Sequence, residues 1–340
     1  MLSLLYSRIA RARRRYYQHR PYLRRRLTAP VISIGNLTVG GSGKTPLAAE
    51  VARLLLEMGE RPAILSRGYA RKIFDEGVVI VSDGSRVLSG VERSGDEPQM
   101  LARAVPGAAV LVSSSRYVAG RIAESRLGCT VHLLDDGFQH FDLMRDIDLL
   151  VSPDASQDTR TLPFGRLREP LDAASMADAL LVETGVRSAD LQVSPTFSFS
   201  RRLAGPPPDR PAFAFAGIAR PERFFGDLEK AGWKLTGRRS FGDHHHYSDQ
   251  EIEQVARAAK SSGADVILTT EKDIVRLGSD RTINKSGSFF EATGEKGSRF
   301  IYGTGVSVHI LAVPLVVEIE PAFAAWLAER LRVVRSPGGG

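Results

Sequence analysis

The sequence predicts an α/β protein: a largely parallel sheet with helices on both faces, followed by a second, smaller α/β lobe. Two observations predict it. Short apolar runs at residues 31–34, 61–65, 77–81, 108–112, 131–134 and 147–151 alternate with helical stretches at 46–58, 98–104 and 116–126, the pattern of repeated βα units. After a Pro-rich break at 205–211 the alternation resumes, with strands at 212–216 and 265–268, a helix over 249–260, a strand at 313–319 and a helix over 321–333. A chain of 340 residues leads to two domains as the first expectation. The expected divisions are an N-terminal helix at 1–28, a first lobe at 29–205 and a second at 206–335.

Composition narrows the class. Hydrophobic residues at 43% and charged residues at 25% are ordinary globular values, which excludes a wholly disordered or fibrous chain. The lone Cys129 excludes an internal disulfide framework and fits a reducing compartment. The net charge of +7 is concentrated at one end, because ten of the 46 basic residues precede the first carboxylate, Glu50. A negatively charged partner is therefore expected there.

In that basic segment Leu2, Leu5, Ile9, Ala12 and Tyr16 recur at three- and four-residue spacing, flanked by Arg8, Arg11 and Arg15. This is the pattern of a helix lying in a membrane interface, its arginines at lipid phosphates and its leucines in the acyl boundary. An amphipathic helix packed on the domain and a nucleic-acid arm are the competing readings. No apolar run is long enough to span a bilayer. The charges follow the apolar residues instead of preceding them, unlike a signal peptide, so export is not expected.

Thr38-Val39-Gly40-Gly41-Ser42-Gly43-Lys44-Thr45 leaves an apolar strand and opens a helix, with the G-K-T ending of a P-loop and Thr38 in place of the usual first glycine. Such a loop turns backbone N–H groups toward phosphate, and the helix N-terminus adds positive dipole. Lys44 is then expected at the β and γ phosphates and the Thr45 hydroxyl on magnesium. The fold class becomes P-loop NTPase-like. Val39 stands where membrane-positioning ATPases with a deviant loop carry lysine, and Asn284-Lys285-Ser286-Gly287 lacks the aspartate of a guanine reader, so ATP is preferred to GTP.

Three acidic constellations follow along the chain. Ser94-Gly95-Asp96-Glu97-Pro98 precedes a helix, so its carboxylates either cap that helix or act on the reaction, Asp96 as general base and Glu97 near the metal. Val131-His132-Leu133-Leu134-Asp135-Asp136 ends an apolar strand in two carboxylates, where a P-loop fold holds the magnesium shell. His140, just beyond, is placed to orient or tune the base. In Leu162-Pro163-Phe164-Gly165-Arg166-Leu167-Arg168-Glu169-Pro170, Arg168 is a candidate for stabilising charge on the transferring phosphoryl group and Glu169 for the metal shell, a surface ion pair being the alternative. Asp243-His244-His245-His246 lacks metal-ligand spacing, and His244 is expected to stack on adenine or touch substrate.

Together with Ser66-Arg67-Gly68-Tyr69, Leu167-Arg168-Glu169-Pro170, Phe241-Gly242-Asp243-His244 and Thr269-Thr270-Glu271-Lys272-Asp273, these motifs in this order resemble the tetraacyldisaccharide 4'-kinase family. The resemblance covers most of the chain. It implies two P-loop-type lobes joined by a β linker, ATP and Mg2+ at the N-terminal lobe, Asp96 as base helped by His140, and Asp135 and Asp136 near the metal. It further implies a lipid A disaccharide 1-phosphate substrate and an anionic membrane surface as partners, with no nucleic acid and no protein partner. The implied location is the cytoplasmic face of the bacterial inner membrane. A membrane-associated P-loop ATPase is the alternative.

Overall fold

The computed structural model describes residues 1–340 apart from 41–42, 70, 72, 74–76, 205–209, 278–288, 293–296, 302–306 and 337–340; at 289–292, 297–301 and 307–309 it describes the backbone alone. Gly41 and Ser42 of the phosphate loop, residues 284–287 and most of the Pro-rich break thus lie outside the described residues. The chain divides into two units, Met1–Arg201 with Val317–Gly340, and Arg202–Val316.

The first unit opens with α1 (Leu2–Gln18). It continues through β1 (Val31–Asn36), α2 (Lys44–Glu57), β2 (Pro62–Ser66), β3 (Val79–Asp83), α3 (Val91–Ser94), α4 (Asp96–Ala104) and β4 (Ala109–Val112). Then come α5 (Arg116–Leu127), β5 (Val131–Asp135), β6 (Ile147–Val151), β7 (Ala179–Glu183) and β8 (Thr196–Leu203). The second unit holds β9 (Ala212–Ala216), α6 (Pro221–Lys230), β10 (Leu235–Ser240), α7 (Asp249–Ser261), β11 (Val266–Thr270), α8 (Glu271–Leu277), β12 (Phe289–Ala292), β13 (Gly297–Ile301) and β14 (Ser307–Val313). Strand β15 (Leu315–Ile319) and α9 (Ala322–Arg335) complete the chain.

Nine strands form one sheet in the order β15-β8-β7-β6-β1-β5-β2-β4-β3. The pairs from β8 through to β4 are parallel, and β3 runs antiparallel to β4. Alternate strand residues feed opposite faces. Ile32, Ile64, Val110 and Leu133 join Leu47, Val51 and Leu55 of α2 in one core cluster. Ala63, Leu65, Leu111 and Leu134 join Ala119 and Ala123 of α5 in another. Strand β1 lies between β5 and β6, where the connections change direction, and ligands of open parallel sheets bind outside the carboxyl ends of the strands at such a point.

The smaller sheet has the order β10-β9-β11-β14-β13-β12. Its first four strands are parallel and its last two antiparallel. Helix α7 starts where Ser248 and Glu251 form a reciprocal capping box, which satisfies two of the free N–H groups at a helix start. The single strand expected at 313–319 is divided by Pro314 into the end of β14 and β15, since proline has no N–H to continue a ladder.

The expectation that residues 206–335 form the second lobe is corrected at its far end. Helix α9 packs in the first unit, with Phe323, Leu327 and Leu331 in the α2 core cluster and the Phe323 ring 5.3 Å from Phe197 of β8. Its apolar stripe has that core as its partner, which chain order does not reveal.

Helix α1 docks by the face opposite its leucines. Its most buried residues are Ser7 and Arg14, while Leu2, Leu4, Leu5, Ile9 and Tyr16 are exposed, Leu4 at 70%. Ser3 Oγ donates to the Thr161 carbonyl (2.9 Å), and the Ser7 and Thr161 hydroxyls are 2.7 Å apart. Packing on the domain therefore uses the polar stripe and leaves the leucines outside, the reverse of an ordinary amphipathic surface helix.

Candidate active site

The phosphate loop spans the gap between β1, buried along its length, and α2. Gly43, in the left-handed conformation with φ 75°, is the residue before Lys44. Lys44 Nζ donates to Asn36 Oδ1 (2.9 Å) and lies 3.1 Å from Asp136 Oδ1. Asn36 in turn donates to Thr38 Oγ1 (2.8 Å). The Thr45 hydroxyl donates to Asp135 Oδ2 (3.2 Å). Val39 and Gly40 lie beside Arg166, whose carbonyl accepts the Val39 N–H (2.8 Å) and whose guanidinium donates to the Val39 carbonyl (3.0 Å).

Asp135 and Asp136 reach this point because β5 pairs with β1 in the register that sets Ile34 beside Asp135. The turn after β5 packs directly on β1. A Cβ on Gly35 would stand 2.4 Å from the Phe138 Cβ, so only glycine permits this approach. The two carboxylates have opposite electrostatics. Burial, then the charges of Glu97 and Asp136, push Asp135 up to about 7 against the pull of Lys44 and Thr45. Burial also acts on Asp136, but Lys44 and Arg168 outweigh it and hold that carboxyl below its ordinary value. Arg168 NH1 donates to Asp136 Oδ2 at 2.7 Å. Residues 44, 136 and 168 thus meet at one point.

Asp96 is 4% exposed and is the first residue of α4, and its Oδ1 accepts the Glu97 N–H (2.9 Å). The N-cap is Gly95, not Asp96. Gly95 has φ +87°, and a Cβ there would meet the Tyr69 carbonyl at 2.7 Å, so the Gly-Asp-Glu-Pro turn is held against the Ser-Arg-Gly-Tyr segment. His140 Nε2 stands 3.1 Å from Asp142 Oδ1. Burial and the neighbouring Arg116, with smaller contributions from Arg145 and Arg13, push the ring down to about 4. It is a neutral imidazole at pH 7, able to orient a partner but carrying no charge.

One sequence expectation changes here. Glu169 is 3% exposed and both its oxygens are taken by Arg14 of α1, Nε to Oε1 at 2.9 Å and NH2 to Oε2 at 2.6 Å. Its carboxylate is therefore committed to α1 and not to a metal shell. The sequence permits either use, since only the fold reveals a cation from a distant segment; removing one partner of such a buried pair costs about 3–5 kcal/mol. His244 belongs to the second unit, with φ 58°, Nε2 3.4 Å from Lys272 Nζ and Nδ1 3.4 Å from Arg276 NH2. The adjacent His245 is used differently, bonded to Glu251 (3.0 Å) and stacked on Phe241.

The sequence reading gave no role to Asn36, Arg14 or Arg116. Arg116, the first residue of α5, is 8% exposed; burial and the charge of Arg67 hold its guanidinium below the usual value, while Asp142, Asp136 and Asp135 favour it. Arg67 and Arg116 follow the neighbouring parallel strands β2 and β4 at the same sheet edge as Asp135. The position of Arg116 just beyond a strand is a signal that could have marked it. The arrangement gathers Lys44, Arg168 and a pair of carboxylates of different basicity at the start of α2.

Comparisons with known proteins identify the family. The family described as tetraacyldisaccharide-1-P 4'-kinase matches residues 1–332. A tetraacyldisaccharide 4'-kinase of Desulfotalea psychrophila is 40% identical over 307 residues, covering 83% of this chain and 88% of the relative. That of Geobacter metallireducens is 42% identical over 298 residues, covering 82% and 87%. The crystal structure of LpxK from Aquifex aeolicus in complex with ATP superposes with a TM-score of 0.76 at 31% identity, covering 97% of each chain. With a family match across nearly the whole length and relatives at this identity, the chain belongs to the tetraacyldisaccharide-1-P 4'-kinase family.

Proposed function

We propose that the protein transfers the γ-phosphate of ATP to the 4'-hydroxyl of a tetraacyl disaccharide 1-phosphate, the lipid A precursor, at a membrane surface. The observation that carries the chemistry is the meeting of Lys44, Asp136 and Arg168 beside the Thr45–Asp135 pair. Lys44 exchanges Asp136 for the β and γ phosphates, and the loop N–H groups hold the rest of the triphosphate. Arg168 supplies positive charge where the transferring phosphoryl group gains negative charge. Asp96 orients the acceptor hydroxyl and takes its proton, with neutral His140 fixing the acceptor or the base.

Asp135 Oδ1 is buried and has no hydrogen-bond partner, which suits it to a cation. Among the described residues no three His, Cys, Asp or Glu side chains form a ready-made metal cluster, and magnesium characteristically keeps several waters and takes only one or two carboxylates. Thr45 and Asp135, with Asp136 and Glu97 adjacent, are the groups that fit Mg2+. Bound there, it neutralises charge on the phosphates.

The membrane reading is supported by the outward leucines of α1 and by its exposed arginines, Arg8, Arg11, Arg13 and Arg15. Each basic residue near an anionic surface contributes about 1 kcal/mol. No helix among the described residues is long and apolar enough to cross a membrane, and the contact proposed here is peripheral, at the cytoplasmic face of the inner membrane. Acceptor dependence tests the function: ADP release from ATP should require the tetraacyl disaccharide 1-phosphate. Equal release without acceptor would instead support an ATPase.

A further inference from the structure

Residues 161–172 are bonded on two sides. On one side they hold α1, through Thr161 to Ser3 and Ser7, Glu169 to Arg14, and Asp172 to Arg11 (2.9 Å). On the other they hold the phosphate loop. The Arg166 carbonyl accepts the Val39 N–H (2.8 Å), the Arg168 N–H donates to the Leu37 carbonyl (2.6 Å), and the Arg168 guanidinium binds Asp136. The consecutive residues Arg168 and Glu169 thus serve opposite partners, one at the catalytic carboxylate and one at the N-terminal helix.

A second route joins the same two places. Gln139 Nε2 donates to Glu169 Oε2 (3.2 Å) and to the Asn36 carbonyl (3.0 Å), and Asn36 Oδ1 accepts from Lys44. The Arg14 guanidinium also lies over the Phe138 ring at 4.6 Å and the Phe141 ring at 4.8 Å, on the segment that carries Asp136 and His140. Lysine has neither the fork for two carboxylate oxygens nor the flat face for two rings. If α1 were only a tether, a flexible attachment would suffice; a buried, bidentate, doubly stacked arginine is an attachment of fixed geometry.

We propose that Arg14 and Glu169 are positioning residues that make the docked state of α1 a condition for phosphoryl transfer: the helix that meets lipid also sets the placement of Asp136, Arg168 and the phosphate loop. This rests on the kinase reading given above. Without Arg14 the Glu169 carboxylate is a buried charge lacking its counter-ion, and the strap between helix and loop must rearrange. The exposed face of α1, which makes the lipid contact, is untouched.

The test compares wild-type protein with Arg14→Lys, Arg14→Ala, Glu169→Gln and Arg14→Ala/Glu169→Gln. The readouts are kcat, KM for ATP and lipid acceptor, binding to phosphatidylglycerol vesicles, and thermal midpoint. Arg14→Lys should lower kcat about tenfold and Arg14→Ala about a hundredfold, with vesicle binding and lipid KM within about twofold of wild type. Glu169→Gln added to Arg14→Ala should recover part of the loss, because the orphaned charge is removed. Wild-type kcat in folded Arg14→Lys protein would overturn the proposal, as would loss of vesicle binding at unchanged kcat. Should Arg14→Ala fail to fold, Arg14→Lys decides alone. Failure of the kinase reading is separately visible, as absence of phosphorylated lipid with the wild-type protein.

Discussion

Lys44 and Asp136, 92 positions apart in the chain, place Nζ and Oδ1 within 3.1 Å of each other. The lysine begins α2 and the aspartate follows β5, so the pair ties the start of that helix to the carboxyl end of the sheet. In the proposed mechanism phosphate oxygens replace Asp136 at the lysine, and the aspartate keeps its bond to Arg168.

Replacing this lysine should therefore affect turnover more than folding. Lys44→Ala should lower kcat by roughly 10²–10³, the usual effect of removing one fixed positive donor at a site of developing charge. Asp136 retains Arg168, so the thermal midpoint should change little. Calorimetry and initial rates of lipid phosphorylation check both parts, and near-normal turnover by a folded variant would remove the loop from the mechanism.

Asp96→Asn separates chemistry from helix capping. Because Gly95 is the N-cap, asparagine at 96 can still accept the Glu97 N–H and α4 should persist. Turnover should fall by roughly 10²–10⁴, the contribution of a general base, while ATP affinity stays within about twofold. Unchanged rates would leave Asp96 a purely structural residue.

The buried histidines predict a pH effect on stability. Burial holds His132 below its ordinary value and takes His140 down to about 4. Between about pH 6.5 and 4 the unfolded chain binds a proton at position 140 that the folded chain does not, and His132 acts in the same direction below about pH 6.5, so their contribution to stability falls as pH falls. Asp135, pushed up to about 7, contributes with the opposite sign. The histidine part is read as a difference: His140→Asn should lose less stability than wild type between pH 7.5 and 5 in urea titrations. Parallel curves would show that His140 titrates normally.

Much of this site is legible in the sequence where its chemistry is local. Strand, glycine loop, Lys44, Thr45 and helix are consecutive, and Asp135-Asp136 end an apolar run, so spacing alone brings them into view. The α1 pattern was likewise readable, and the exposed Leu4 and Ile9 identify which of its faces is free. What was not legible depends on distant partners. Nothing beside Glu169 in the sequence indicates Arg14, 155 positions away, and an Arg-Glu dipeptide near phosphate suits a metal shell equally well. Phe323, Leu327 and Leu331 of α9 show a helical stripe without naming the core that receives it.

That free face gives a prediction independent of the catalytic loop. Leu4→Asp with Ile9→Asp removes apolar contact and adds two negative charges without disturbing Ser7 or Arg14. Association with phosphatidylglycerol vesicles should fall by about tenfold or more, and the thermal midpoint should hold. Cosedimentation checks it; unchanged binding would place the membrane contact on another surface.

The most direct measurement follows the γ-phosphate itself. ATP labelled at the γ position is mixed with the protein, Mg2+ and tetraacyl disaccharide 1-phosphate in mixed micelles, and lipid and inorganic phosphate are separated during a single turnover. The account predicts one label per disaccharide, located on the 4'-oxygen, lost with Lys44→Ala and strongly slowed with Asp96→Asn. Label recovered as inorganic phosphate, at the same rate with and without the disaccharide, would contradict it.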